Sequence, residues 1–220
     1  NYVVQLGEIF RADADPENAA PMKKYMGCRF EFFGIKTEKR RKLCREYIQS
    51  CGIPDYEDIQ NVIVELWSQP EREFQYFGQE LLEKYVRQFE PDIINLLEYM
   101  LLNKSWWDTV DIIATNLIGA YFKKFPDEIE PITKKWIKSK KLWLSRAALL
   151  FQNKYKTKTR EELLFSIIHK TNRIDDFFIR KAIGWALREY SKTNPDSVRS
   201  FIDRNNLPRL SKREAMTYLG

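Results

Sequence analysis

The chain has one histidine, His169, and three cysteines, Cys28, Cys44 and Cys51, among 220 residues. So little histidine argues against a zinc site of the usual Cys/His kind. It also removes Ser-His and Cys-His nucleophile pairs, because His169 would have to serve alone. His169 lies in an apolar helical stretch, 163–169, and reads as a structural histidine. The cysteines are odd in number and without C-x-x-C spacing, which fits a reducing, cytoplasmic compartment. Glycine is scarce, eight in all, and there is no glycine-rich phosphate loop and no dinucleotide fingerprint. Neither a metal nor an organic cofactor is expected. Long apolar runs are missing as well. The densest, 96–102 and 147–151, fall far short of the roughly 20 residues a spanning helix needs, so no membrane partner is expected. No charged-then-apolar leader opens the chain, so secretion is not expected. Sustained alternation of apolar and polar residues is absent too, which leaves nothing to read as strand.

What is present is a folding composition: 44% hydrophobic, 14% aromatic and 31% charged residues. The apolar positions recur with the helical period in pieces separated by Pro, Gly, Asn or Asp. The spacing predicts helices over 2–12, 17–27, 37–51, 56–69, 71–89, 92–103, 106–125, 127–139, 142–158, 160–173, 176–193, 196–205 and 211–219. Thr37, Pro54–Asp55, Pro70–Glu71, Pro91–Asp92 and Pro195–Asp196 read as helix starts. Ser105-Trp106-Trp107-Asp108 reads as a capping box. Tyr85, Tyr121, Tyr155 and Tyr190 follow one another at 36, 34 and 35 residues. R-A-A-L-L-F-Q-N-K-Y (146–155) overlays K-A-I-G-W-A-L-R-E-Y (181–190) without gaps. A unit of about 35 residues holding two helices is the period of a helical solenoid. The expected fold is therefore all-α, a HEAT-like helical repeat with a concave basic groove. It is read as a single domain over 1–220 and as a monomer.

Charge is uneven. Residues 1–100 carry 13 basic and 18 acidic side chains, and residues 101–220 carry 24 and 13. A positive excess gathered in one half suits a polyanion such as nucleic acid, although a solvated basic surface is the plainer reading. Three features do not behave as core. Arg146 sits among Leu142, Trp143, Leu149 and Leu150, so its guanidinium needs either an intramolecular salt bridge or an anion brought by a partner. Trp107 and Asp111, four apart, share a helix face beyond the reach of the first turn. They suggest a small site with one cationic client, with a hydrogen bond to a neighbouring helix as the alternative. Trp185 has Lys181 and Arg188 as its neighbours, a pairing that suits nucleic acid as well as an ordinary half-exposed position. Phe32, Phe33, Trp67, Phe74, Trp136 and Phe151 sit at core spacing. The run K-R-R-K at 39–42 reads as a solvated face that starts a helix.

Eight segments carry a resemblance: P-M-K-K-Y-M-G (21–27), F-F-G-I-K-T-E-K-R-R (32–41), E-L-W (65–67), P-E-R-E-F-Q (70–75), K-S-W-W-D-T-V-D (104–111), W-L-S-R-A-A-L-L-F-Q (143–152), K-A-I-G-W-A-L-R-E-Y (181–190) and L-S-K-R-E-A (210–215). In this order, and across nearly the whole chain, they resemble the AlkD family of DNA alkylation repair glycosylases. The resemblance implies a monofunctional enzyme that hydrolyses the N-glycosidic bond of N3- and N7-alkylated purines in duplex DNA. It maps the essential carboxylate onto Asp111, the tryptophans at the lesion onto Trp107 and Trp185, and the groove arginine onto Arg146. Tyr25, Lys181 and Arg188 fall in matching segments and are expected DNA contacts. A cytoplasmic protein held at the nucleoid by DNA follows from this. Two other readings stand beside it: a non-catalytic HEAT-repeat scaffold that recognises unusual DNA structure, and a protein-interaction adaptor.

Overall fold

Side chains fix where several helices begin, and they are mostly not the ones the sequence suggested. A computed structural model describes residues 1–219, and among them the architecture is an all-α helical repeat, with one isolated bridge, Glu31 to Glu71. The chain forms two compact units that divide after Gln88.

In the first unit, α1 (Tyr2–Ala12) and α2 (Pro16–Tyr25) are capped by Asn1 and Asp15, whose side chains accept the amides of residues two and three further on. Next come α3 (Thr37–Cys51), α4 (Tyr56–Ser68) and α5 (Arg72–Leu82). Thr37 does not cap α3: it is the first helical residue, and the cap position belongs to Lys36, which makes no side-chain bond. Phe10, Phe33 and Phe74 meet with ring centroids 5.5–5.8 Å apart, the centre of the core. Phe32 and Trp67 are buried as expected. Beside this core the fully buried Glu73 accepts three consecutive amides, from Phe33, Gly34 and Ile35 at 3.0–3.2 Å. Burial raises its carboxyl above the ordinary value, and the amides pull against that rise. Gly34, at φ +85°, is obligatory, because a Cβ there would lie 2.0 Å from the Asp15 carbonyl oxygen. One member of the K-R-R-K run departs from the solvated reading. Arg40 is buried and grips Glu80 with two bonds of 2.8 Å, because α5 presents that carboxylate to the inner side of α3.

The second unit holds α6 (Ile93–Leu102), then one helical rod from Trp107 to Lys124 made of α7 (Trp107–Ile112), a π-helical turn (Ile113–Ile118) and α8 (Gly119–Lys124). It continues through α9 (Ile129–Lys138), α10 (Leu142–Leu150), α11 (Glu161–Thr171), α12 (Phe177–Ser191), α13 (Pro195–Arg204) and α14 (Arg209–Ala215). Trp136 and Phe151 lie in its core. The helix predicted over 142–158 stops at Leu150. Gln152 turns back to accept the Arg160 amide at 2.7 Å, and Lys156 takes φ +53°, which a helix cannot contain. The overlay of 146–155 on 181–190 therefore holds for five helical residues and then fails. Asp176 and Asn194 cap α12 and α13.

The tyrosine period has a structural cause. Tyr85 donates to the Pro54 carbonyl at 2.5 Å, and Tyr121 donates to the Pro91 carbonyl at 3.0 Å. Tyr155 donates to the Gly119 carbonyl at 2.7 Å, and Tyr190 to Glu161 at 2.7 Å. Each closes one helix pair by reaching back about one repeat. Burial pushes the Tyr85 and Tyr121 hydroxyls up to about 12, so both remain neutral donors.

Candidate functional site

The approach to α7 is set by backbone rather than by the expected capping box. Trp106, extended at φ −155° and ψ 163°, holds the cap position, and its side chain makes no capping bond to the helix. Ser105 turns away from α7 and donates its hydroxyl to the Leu101 carbonyl at 2.6 Å, so it closes α6 instead. The helix then delivers Trp107 and, one turn later, Asp111, both half-buried. Directly after Asp111 the rod widens into the π turn, a local insertion that is rare and often sits at functional sites. Thr115 in that turn donates to the Asp111 carbonyl at 2.8 Å. The rod narrows again at Gly119, where an added Cβ would stand 2.9 Å from the Phe151 carbonyl oxygen.

Arg146 meets Asp111. Its Nε lies 2.7 Å from Oδ1 and its Nη2 2.8 Å from Oδ2, the parallel fork that fits a guanidinium to a carboxylate. Its Nη1 donates to the Phe178 carbonyl at 2.5 Å. One guanidinium thus ties α7, α10 and the first turn of α12, and at 5% exposure Arg146 is an interior residue. Of the alternatives left open for Arg146, the intramolecular salt bridge is the arrangement present. Asp111 does have a structural role: the bond to a neighbouring helix, the alternative to a small site with a cationic client, is present. Burial raises the Asp111 carboxyl above its usual value; the Arg146 bonds and charge oppose this, and Asp108 adds to it. A carboxylate has about four lone-pair positions, and the fork takes two. Two remain unused by the fork, and the side chain keeps 15% of its surface exposed.

A cluster of three rings adjoins this pair through Phe178, whose ring centre lies 5.9 Å from the Arg146 guanidinium carbon. Trp106 sits 5.0 Å from Phe178 and 5.7 Å from Trp143, both edge-to-face, and Trp143 sits 5.1 Å from Phe178. Phe177, 58% exposed, continues the aromatic surface outward against Phe178. Spacing within single helices did not reveal this cluster, because its members come from three segments. The Asp111–Arg146 pair did have a signal. The two are 35 residues apart, one repeat, and one repeat apart is where stacked units place neighbours.

A second group lies further along α12. Trp185 is seven residues beyond Phe178, so on the same face and about 10 Å along the axis. It is half-buried, and its indole N–H donates to Glu189 at 3.3 Å. Lys181 and Arg188 both contact Glu214 of α14, at 2.9 and 3.1 Å. Glu214, which the sequence reading passed over, is held below the usual carboxylate range by the Lys181 bond, with both cations contributing. Gly184 permits this approach, since a Cβ there would meet Glu214 Cβ at 2.5 Å. Tyr25 stands at the end of α2 in the first unit and is 73% exposed.

Among the described residues, no three His, Cys, Asp or Glu side chains group so as to hold a metal ion. His169 is exposed, with its ring edge against Phe201. Cys28, Cys44 and Cys51 are free thiols, and burial pushes Cys44 up to about 12. No helix among the described residues is long and apolar enough to cross a membrane.

The family model described as "DNA alkylation repair enzyme" matches residues 6–219. Among solved structures, the chain is similar to a predicted DNA alkylation repair enzyme from Enterococcus faecalis. That likeness has 32% identity and a TM-score of 0.87, and covers 94% of this chain and 97% of the other. It is similar in fold to AlkD2 from Streptococcus mutans, with 18% identity and a TM-score of 0.63 over 84% of this chain and 90% of that one. A third likeness is to smu.31 from Streptococcus mutans UA159, at 17% identity and a TM-score of 0.62, covering 83% and 98%. No curated protein matches.

Proposed function

Because this chain belongs to the DNA alkylation repair enzyme family, we propose that it is a monofunctional DNA glycosylase that releases cationic N3- and N7-alkylated purines from duplex DNA. The observation that carries the reading is the half-buried Asp111 carboxylate, locked in one orientation by the Arg146 fork beside an aromatic cluster. An alkylated N3 or N7 purine already bears positive charge, so it can leave without protonation, and no general acid is needed. As the glycosidic bond breaks, positive charge passes to the deoxyribose. The free edge of Asp111 stabilises that oxocarbenium-like state and orients the attacking water. This is half of the two-carboxylate apparatus of ordinary glycoside hydrolysis.

Trp107 and Trp185 flank the sugar and backbone, excluding water and attracting the developing cation. Arg146 acts as a positioning residue: its fork fixes the carboxylate, and its own nitrogens are all taken up inside the protein. Lys181 and Arg188 supply backbone attraction that Glu214 partly offsets. The groove between stacked repeats and the DNA contact at Tyr25 rest on the resemblance. Neutral damaged bases such as uracil or hypoxanthine are poor substrates, since nothing in the site activates them.

A non-catalytic DNA-binding scaffold is the second reading, and one observation favours it: the charge of Asp111 is already matched inside the protein. Release of 7-methylguanine, 3-methyladenine and uracil from duplex DNA separates the two. Release of the alkylated bases without uracil supports the enzyme. Duplex binding with no release of any base supports the scaffold, and efficient release of uracil sinks the proposed chemistry.

A further inference from the structure

Phe178, Lys181, Trp185 and Arg188 follow one another along α12 at helical spacing and share one face. All four are half-buried, so this face reaches solvent. It begins at the residue whose carbonyl holds Arg146. Against its far half stands Glu214 of α14, 2.9 Å from Lys181 and 3.1 Å from Arg188. The carboxylate side chain is the least exposed of the three, at 18% against 37% and 26%. An anion arriving from solvent therefore meets the two cations first and the carboxylate behind them. Lys181 has three N–H donors and Arg188 five, so one bond to Glu214 exhausts neither.

Docking of α14 on α12 does not need the carboxylate. Gly184 lets the two backbones close, since a Cβ there would stand 2.5 Å from Glu214 Cβ and 2.9 Å from the Ser211 carbonyl oxygen. The Ser211 hydroxyl adds a bond to the Arg180 carbonyl at 2.8 Å. The same packing fixes the Glu214 backbone, so the acid is a permanent neighbour of both cations. The Lys181 bond, with both charges helping, holds its carboxyl below the ordinary range, so it stays ionised around neutral pH.

We propose that Glu214 is a built-in counter-charge that weakens the hold of the Lys181–Arg188 face on the phosphate backbone, and so limits how tightly the protein binds undamaged duplex. Binding to DNA without regard to sequence is driven by neutralising phosphates. With both cations unopposed, this face would retain the protein on every undamaged stretch. With one of the two charges matched from behind, the protein exchanges more readily between sites. The inference rests on the reading of Lys181 and Arg188 as DNA contacts, and on no step of base release.

The test measures binding of the full chain to an undamaged duplex by fluorescence anisotropy over a salt series, for the parent, Glu214→Gln, Glu214→Asp and Lys181→Gln. Glu214→Gln keeps the length and one acceptor but removes the charge. It should bind about fivefold tighter at low salt, the scale of one partly exposed charge pair. Its plot of log affinity against log salt should steepen by about 0.9, the value for one more neutralised phosphate. Glu214→Asp keeps the charge and should follow the parent, and Lys181→Gln should bind more weakly with a shallower slope. If Lys181→Gln weakens binding while Glu214→Gln leaves it unchanged or weaker, the proposal is overturned and the DNA-facing reading stands. Tightening by Glu214→Asp as large as by Glu214→Gln also overturns it, because loosened packing rather than charge would then be the cause. If neither Lys181→Gln nor Glu214→Gln alters the affinity or the slope, this face does not meet DNA and both readings fall.

Discussion

Breaking the Asp111–Arg146 fork is the most informative perturbation. The two bonds, at 2.7 and 2.8 Å, join a guanidinium that is 6% exposed to a carboxylate that is 15% exposed. Removing one partner from such a buried pair costs about 3–5 kcal/mol, mostly because the other charge is stranded. Arg146→Met and Asp111→Asn should each lose stability on that scale. The double variant should lose less than their sum by about 2–3 kcal/mol, since it strands no charge. Arg146→Met should also acquire a pH dependence. Its remaining carboxyl is already raised by burial and would lose the opposing guanidinium. A folded value above the unfolded one means that the native state holds the proton more tightly. The variant therefore gains stability as pH falls from neutrality, and loses it as pH rises through the raised value. Asp111→Asn, whose stranded guanidinium does not titrate, should show no such recovery. Urea unfolding of the parent, both single variants and the double variant, at pH 7 and pH 5, measures all of this. Additivity within about 0.5 kcal/mol would refute the reasoning, because it would mean that the two side chains are not coupled.

Gly184→Ala should cost about 1–3 kcal/mol by overpacking, since its methyl group meets Glu214 Cβ at 2.5 Å and the Ser211 carbonyl oxygen at 2.9 Å; thermal unfolding reads this. Tyr121→Phe removes the bond to the Pro91 carbonyl and should cost about 1 kcal/mol in urea unfolding, and no loss would mean that the repeat tyrosines do not close their helix pairs. Burial alone would raise Glu80, but the Arg40 and Arg41 guanidiniums bring its carboxyl below the ordinary value. This contribution is present above the ordinary glutamate range and is lost as pH falls through the depressed value. Arg40→Met should flatten that part of the acid-unfolding profile.

The helices were legible because burial on one face writes a 3.6-residue period into the sequence, and α1 and α3 begin and end where that period does. Termini decided by distant partners were not legible. The sequence 151–158 is compatible with helix, and only the return of Gln152 to the Arg160 amide and the contact between Gly119 and Phe151 end α10 early. Ser105 has the chemistry of a cap for α7, yet the Leu101 carbonyl one turn behind it wins the hydroxyl. The π turn leaves no composition signal. Of the candidate site, Arg146 stood out by its charge among apolar neighbours, Trp107 and Asp111 by their shared face beyond the first turn, and Trp185 by its cationic neighbours. The partners of Arg146 and of Lys181 were missed because each lies about one repeat away, Asp111 for the first and Glu214 for the second. The 35-residue period that located the tyrosines could have been applied to the charges as well.

The central claim is that Asp111 does chemistry in addition to holding Arg146. Release of 7-methylguanine from methylated duplex DNA, compared between the parent and Asp111→Asn, tests it at a temperature where both are folded and at concentrations giving equal DNA occupancy. The account predicts release by the parent, and a rate lower by about 100-fold or more in the variant, the scale on which a preorganised charge at the reacting centre contributes. Equal rates at equal occupancy would contradict it and leave Asp111 as a counterion for Arg146.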